Sequence, residues 1–427
     1  MVDDMFGDET SYDGPRKLAS VVVVKQVLSH PNADRLSLAK VKGWQVVTAL
    51  DEYKAGDLAI YCEIDSILPE KVVEGRPEYG ILKEKKFTIK TARFRGELSQ
   101  GILFPVGLLN NVKYLHDEHF PAHTVSSKES GGELQYFFGD TLLEPGLDVT
   151  SILGVTKHEP PIVCVDKFGR PQFVRTFPTH IVPRTDEERV QNIPDLIDKW
   201  QGIKLFITEK VDGSSFTCYL VDGQFGVCSR NHVLADNDNV HSSTARALCI
   251  EQKLRAAGLQ NIALQGELLG PGLQANRYRL QQHTICFFNV YNTTSRQFYN
   301  SCEARALVEE TLELCWVPVV AEELVLAHSL EELLSLADGK SQLNPNAPRE
   351  GLVFRALEEA RELGFGPISF KCISNEWLLK YDTKVPAESG KNPPQSKVPK
   401  NKKKKEEGTG KINTADGTSS TKEVSSA

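Results

Sequence analysis

Apolar residues follow two rhythms along this chain. From Lys17 to about residue 104 they gather in short β-branched or aromatic runs: Leu18-Ala19-Ser20-Val21-Val22-Val23-Val24, Trp44-Gln45-Val46-Val47, Leu58-Ala59-Ile60-Tyr61-Cys62, Phe87-Thr88-Ile89-Lys90 and Gly101-Ile102-Leu103-Phe104. Gly43, Gly56-Asp57 and Pro69 punctuate them, so the runs predict short strands, and helical periodicity is scarce. After Pro160-Pro161 the rhythm is mixed. Leu205-Phe206-Ile207-Thr208 and Thr284-Ile285-Cys286-Phe287-Phe288 read as strands, whereas Ser242 to Ala257 and Ser329 to Ala337 carry helical spacing.

These elements predict an α+β chain with two folded parts. Residues 17–150 are expected to form a small β-barrel module of the OB-fold kind. Inside it, the polar stretch Ser126 to Gly132 is expected to be a surface loop or insertion. Residues 160–384 form the α+β part, built of antiparallel sheets and helices. Residues 1–16 are polar and expected to be disordered. From Val385 to Ala427, Pro, Ser, Gly and Lys replace apolar residues, which predicts a disordered basic tail.

Composition narrows the range of functions. The 427 residues are 40% hydrophobic and 25% charged, the profile of a globular protein. No apolar run approaches the roughly 18 residues a membrane span needs, so no membrane partner is expected. The acidic start Met1-Val2-Asp3-Asp4 lacks the basic and apolar regions of a secretory signal. Nine cysteines without a C-x-x-C pair suit free thiols in a reducing, intracellular compartment, cytoplasmic or nuclear. His116, His119 and His123 invite a metal reading, but nothing else in the sequence completes a site. The net charge of -7 hides a Lys-rich segment, Lys397 to Lys405, that reads as a solvated tail, a nuclear address or an arm for nucleic acid. An anionic ligand of the folded part must therefore be met by a local cationic patch.

The chemistry concentrates in five segments. Thr208-Glu209-Lys210-Val211-Asp212-Gly213 places a lysine at the end of an apolar strand, opening into a glycine turn. Gln265-Gly266-Glu267-Leu268-Leu269-Gly270 sets a carboxylate between strand and turn, and Ile285 to Tyr291 is an aromatic strand. Arg349-Glu350-Gly351-Leu352-Val353-Phe354 puts a second carboxylate at a strand mouth, and Ser369-Phe370-Lys371-Cys372-Ile373 is an apolar strand carrying a lysine. Each alone is an ordinary strand end. The five in this order are hard to obtain by accident.

The series resembles motifs I, III, IIIa, IV and V of the covalent nucleotidyltransferases: DNA ligases, RNA ligases and mRNA capping enzymes. Ser229-Arg230-Asn231 fits the intervening arginine motif, and Pro183 to Asn192 resembles the entry segment of the RNA ligase branches. The resemblance is strongest to ATP-dependent nick-sealing RNA ligases with an N-terminal OB module, and it implies an adenylyltransferase domain of the ATP-grasp-like ligase type. DNA ligases and capping enzymes carry an OB domain after motif V, where this sequence has only residues 376 to 384 before the tail. Ser29-His30-Pro31-Asn32-Ala33-Asp34-Arg35-Leu36 and Phe94-Arg95-Gly96-Glu97-Leu98-Ser99-Gln100-Gly101 are similar to tRNA-binding OB domains.

The resemblance implies that Lys210 attacks the α-phosphorus of ATP to leave a lysyl–AMP, with Lys371 as the second catalytic lysine. Glu350 would help hold Mg²⁺ or Mn²⁺. Glu267 would accept hydrogen bonds from the ribose, Phe288 would stack on adenine, and Arg230 would reach the ribose or an RNA 5′-phosphate. Glu209 and the backbone near Thr208 would meet the adenine edge. Arg189, Asn192, Arg35 and Arg95 would contact RNA or an RNA-containing nicked duplex. Motif V commonly carries two lysines, yet Ile373 stands where the second would be, so Lys371 serves alone or Lys380 or an arginine assists. The expected activity is joining of a 3′-OH RNA end to a 5′-phosphate by a protein favoured to be monomeric. The alternatives are a DNA ligase or capping-type guanylyltransferase, or an RNA-binding protein with an inactive ligase domain.

Overall fold

The computed structural model describes residues 17–73, 82–83, 86–114, 124–130, 133–158, 173–358, 360–363 and 365–382. The histidines 116, 119 and 123, the N-terminal segment 1–16 and the Lys-rich tail lie outside the described residues. Among the described residues no helix is long and apolar enough to cross a membrane, and the cysteines are free thiols.

The first part is a curled antiparallel sheet. Strand Ala19–Ser29 pairs through Ala19 to Val23 with Leu58–Cys62, then, past an irregularity between Val24 and Gln26, through its second half with Leu36–Val41. One strand thereby serves two neighbours, which bends the sheet toward closure. Trp44–Ala49 and Ile102–Pro105 flank this group. Gln100 N–H donates to Gln45 O at 2.8 Å, and Val47 N–H to Ser99 Oγ at 3.0 Å, across the gap. The enclosed core holds Val21, Val24, Trp44, Ile60, Tyr61 and Phe104.

Three expectations meet corrections. Phe87 to Lys90 is no strand: Lys86 and Phe87 take positive φ of 51° and 58°, and only Thr88 bridges to Ile67. The polar stretch expected as a loop is a hairpin of Val125–Ser130 with Glu133–Phe138, anchored where Tyr136 and Phe138 pack on the core. The helix expected over 242–257 is two, Val240–Ala247 and Ile250–Ala256, because Cys249 turns left-handed at φ 54°. The helix Leu330–Ala337 does begin at Ser329, whose hydroxyl and the Glu332 carboxylate form a capping box.

The second part has two large sheets, beside a two-stranded ribbon of Arg361–Glu362 with Gly366–Pro367. One runs Phe173–Thr176, His232–Leu234, Gln224–Cys228, Ser214–Val221, Ile262–Leu269, Thr284–Asn292 and Gln297–Phe298. The other runs Glu188–Arg189, Ser369–Ile373, Gly351–Ala356, Lys204–Lys210 and Val319–Val325.

The two parts meet at a polar seam. Trp44 Nε1–H donates to Asn192 Oδ1 at 2.6 Å, Gly43 N–H to Gln191 O at 2.8 Å, and Arg189 pairs with Asp65 at 2.8 Å. Ile373 and Leu378, far along the chain, are members of the first part's apolar cluster. Trp44 is fully buried, so Trp44→Ala should cost about 3–5 kcal/mol. The same variant should also raise amide exchange at residues 188–193, measured by hydrogen–deuterium exchange. Protection at those amides equal to the parent's would separate the seam from the barrel core.

Candidate active site

Pleating sorts the second sheet into two faces. Leu205, Ile207, Leu352, Phe354, Phe370 and Cys372 share one apolar cluster on one face. Side chains alternate along a strand, so Thr208, Lys210, Val353 and Lys371 face the other way. Lys210 is registered opposite Gly351, and Val353 opposite both Thr208 and Lys371. This places Lys210 beside Glu350, whose Oε1 accepts a hydrogen bond from Nζ at 2.7 Å. The pair is largely enclosed, with 29% of the Lys210 side chain and 11% of the Glu350 side chain exposed.

The same alternation moves Glu209 away. Its carboxylate is buried on the far face, where Gln342 N–H donates to Oε2 at 2.8 Å. Burial raises its carboxyl above the usual range, against the opposing pull of Ser341, Gln342 and Arg349. Glu209 still borders the cleft beside Lys210.

Lys210 opens into a cleft of about 360 Å³ between the two sheets, lined also by Ser215, Arg230, Glu267, Phe288, Val353 and Lys371. Phe288 arrives there through an irregular register. Gln265 pairs with Asn289 but Gly266 with Phe287, so Phe288 is the extra residue of a bulge. A bulge re-aims a side chain: Phe288 lines the cleft while Phe287 stays in the core. Gly213 is needed for packing, since a Cβ there would meet Leu268 O at 2.5 Å and Glu267 Cγ at 2.8 Å. Asp212, next to it, is ion-paired with Arg277, whose guanidinium lies 4.5 Å from the Tyr381 ring centroid.

Two carboxylates carry shifted acidities of opposite sign. Burial pushes Glu267 up to about 7, only partly opposed by Lys210 and Arg230. For Asp186, burial alone would raise the carboxyl, but Arg230, Lys371 and Lys157 outweigh it and hold it at about 2. Arg230 Nη2 donates to both Asp186 oxygens, at 2.6 and 2.9 Å.

The structure thus gathers Lys210, Arg230, Glu267, Phe288 and Lys371 around one cleft, with Glu350 against Lys210 at its edge. Arg189 and Asn192 lie elsewhere: Arg189 is buried in the seam against Asp65 and the Trp44 ring, and Asn192 bonds Trp44 and Glu188. Arg35 and Arg95 are exposed, on segments joined by the Asn32 Nδ2–H to Arg95 O bond at 3.0 Å. Lys380 packs over the Tyr381 ring instead of lining the cleft. The further cations there are Lys157 and Arg355, which sequence reasoning missed along with Asp186. Lys157 sits on a two-residue strand paired with Ser66–Ile67, a long-range placement that leaves no local signal. Arg355 stands two residues after Val353 on the strand Gly351–Ala356, hence on the same face, and could have been found by counting faces.

Comparison with known proteins agrees with this geometry. An OB-fold domain family matches residues 18–106, and the RNA ligase family matches residues 203–373. The chain is similar to the RNA ligase of Naegleria gruberi solved with pyrophosphate: 32% identity, TM-score 0.70, covering 87% of this chain and 100% of that one. A mutant of that ligase solved with ATP and Mn has 32% identity and TM-score 0.69, covering 87% and 99%. A Wolbachia phenylalanine–tRNA ligase β subunit is 36% identical over 93 residues, 20% of this chain, and the match spans only 10% of that subunit's length.

The Glu267 shift yields a stability test. Between 4.5 and about 7 the native chain keeps a proton on Glu267 that the unfolded chain has released. That contribution is therefore full below 4.5 and lost as pH rises through about 7. Glu267→Gln should gain stability relative to the parent across this window, read by chemical denaturation at successive pH values. A pH-independent difference would show that Glu267 titrates normally.

Proposed function

The chain belongs to the RNA ligase family, and on that premise we propose that it joins a 3′-OH RNA end to a 5′-phosphate at nicks in a duplex, using ATP. The observation that carries the site assignment is the Lys210 Nζ–Glu350 Oε1 contact of 2.7 Å inside a cleft that also holds Glu267, Phe288, Arg230 and Lys371. Such a lysine is an amine nucleophile held next to an acceptor for its proton.

In the first step the Lys210 amine forms a P–N bond to the α-phosphorus of ATP, and the bond to pyrophosphate breaks. The ammonium must first lose a proton, and Glu350 Oε1, at 2.7 Å, is placed to accept it. Glu350 Oε2 is buried without a hydrogen-bond partner, an acceptor fitted to a hydrated Mg²⁺ or Mn²⁺. Among the described residues no group of three His, Cys, Asp or Glu is arranged to hold a metal by itself, so water and phosphate oxygens would supply the remaining ligands. When bound, the metal offsets charge on the phosphates. Phe288 offers its ring to adenine, Glu267 its carboxylate to the ribose, and Lys371 and Arg230 their charge to phosphate oxygens.

In the second step an oxygen of the RNA 5′-phosphate attacks the same phosphorus, the P–N bond breaks, and Lys210 takes back a proton. In the third, the 3′-OH attacks the 5′-phosphorus and AMP departs. The exposed Arg35 and Arg95 of the OB module would track the phosphate backbone of the duplex.

Incubation with α-labelled ATP and Mg²⁺ should leave an acid-labile, alkali-stable label on the protein. Lys210→Ala should abolish it, and Glu350→Gln should slow it on the order of a hundredfold or more. Label persisting in Lys210→Ala would place the nucleophile elsewhere. Sealing itself should depend on the sugar at the 3′-OH end, because a ribose there sets A-form geometry. Misplacing the attacking oxygen by about 1 Å costs on the order of a hundredfold, so single-turnover sealing of pre-adenylylated nicks should be much slower when the 3′-OH strand ends in DNA. Equal rates on both nicks would leave nucleotidyl transfer intact and remove the preference for RNA ends.

A further inference from the structure

Asp186 stands where the cleft is most cationic. Both its oxygens lie against Arg230 Nη2, at 2.6 and 2.9 Å, and Lys371 and Lys157 act on the same carboxyl. Nothing within its own element explains this placement. Residues 183–187 form no helix or strand, and the segment is pinned on either side of Asp186, by Arg184 Nη1–H to Asn231 Oδ1 at 3.0 Å and by Arg355 to Glu187 at 3.0 Å. About half of the Asp186 side chain is exposed. The segment also borders a second cavity of about 560 Å³, which shares Thr185, Asp186, Glu187, Phe288 and Arg355 with the cleft. A carboxylate that is drawn in by three cations, exposed on one side and bordered by open volume is placed to be exchanged for another oxyanion.

We propose that Asp186 is a built-in occupant of a phosphate subsite formed by Arg230, Lys371 and Lys157, and that the terminal phosphate of the RNA 5′ end must displace it to bind. The inference rests on the ligase reading of the cleft and adds a basis for choosing ends. Carboxylate and phosphate oxygens compete for the same guanidinium donors. A terminal phosphomonoester carries about two negative charges near neutral pH, whereas an internal phosphodiester carries one. With a full carboxylate already seated, a phosphodiester would exchange one charge for one and gain little, and a 5′-phosphate would gain a second charge. Asp186 therefore raises the threshold for entry above what the interior of an RNA strand offers.

The test uses the full chain and reads binding without ATP, so its outcome does not depend on whether Lys210 accepts AMP. Asp186→Asn keeps the shape and removes the charge. Its affinity for a 5′-phosphorylated oligoribonucleotide should rise on the order of tenfold relative to the parent, and its preference for that strand over the same strand with a 5′-OH should narrow. Pyrophosphate is the second probe. A gain for the phosphorylated strand assigns the subsite to the RNA end, and a gain for pyrophosphate alone overturns that assignment in favour of the nucleotide. Unchanged or weaker binding of both probes in Asp186→Asn, with Asp186→Ala agreeing and the melting temperature retained, would overturn the proposal and make Asp186 a positioning residue for Arg230.

Discussion

The register between Lys204–Lys210 and Gly351–Ala356 is the constraint on which the cleft depends. Lys210 opposite Gly351 brings the lysine to the carboxylate of the preceding residue, and Thr208 opposite Val353 sets the floor beside it. A slip of one residue would turn Lys210 into the apolar cluster and Glu209 into the cleft. Gly351 holds that register tightly, since a Cβ there would collide with the Cys372 carbonyl of the next strand. Lys371 is brought into the same face by pairing with Val353 on the other side. One central strand thus fixes three chemically active side chains that are distant in sequence.

Around that frame the charges are arranged in opposition. Cations enter from five separate segments (Lys157, Lys210, Arg230, Arg355 and Lys371), and carboxylates that include Asp186, Glu267 and Glu350 face them. Their environments divide the carboxylates. Glu267 is desolvated enough to hold its proton to about 7, whereas Asp186 is surrounded by enough positive charge to stay ionised to about 2. Two groups of the same chemistry, a few strands apart, thereby differ in charge between about 2 and about 7. A phosphate-handling site needs both properties: hydrogen-bonding capacity for a sugar, and fixed countercharge that can be exchanged.

Most of this was legible along the chain wherever a residue type had to recur at a strand end. Lys210, Glu267, Glu350 and Lys371 each sit beside a glycine or at an apolar strand, and the pattern pointed at the cleft without any knowledge of how strands pair. Faces were harder. Glu209 adjoins Lys210 in sequence, and only the pleat shows that its carboxylate belongs to the opposite side. The resemblance of the entry segment points to Arg189 and Asn192 as polymer contacts, and only the docked barrel reveals that Asp65 and Trp44 engage them. Lys157 and Asp186 lay beyond local reading, because their partners come from segments joined only by tertiary packing. The Ser126 stretch misled for a related reason: its polar residues suit a hairpin that is held by Tyr136 and Phe138 on the returning strand.

The membership of Ile373 and Leu378 in the apolar core of the first part bears on how the protein is made. Chains emerge from the ribosome from the N-terminus, and domains ordinarily fold as they appear. Here the barrel is synthesised first, yet two of its core side chains, Ile373 and Leu378, belong to the last strand and helix of the catalytic part. Until they emerge the growing barrel carries an unfilled apolar notch. Its final packing is a late event, coincident with the arrival of the strand that carries Lys371. The surface bearing Arg35 and Arg95 and the cleft therefore mature together, and a ribosome that stalls before residue 373 releases neither in finished form.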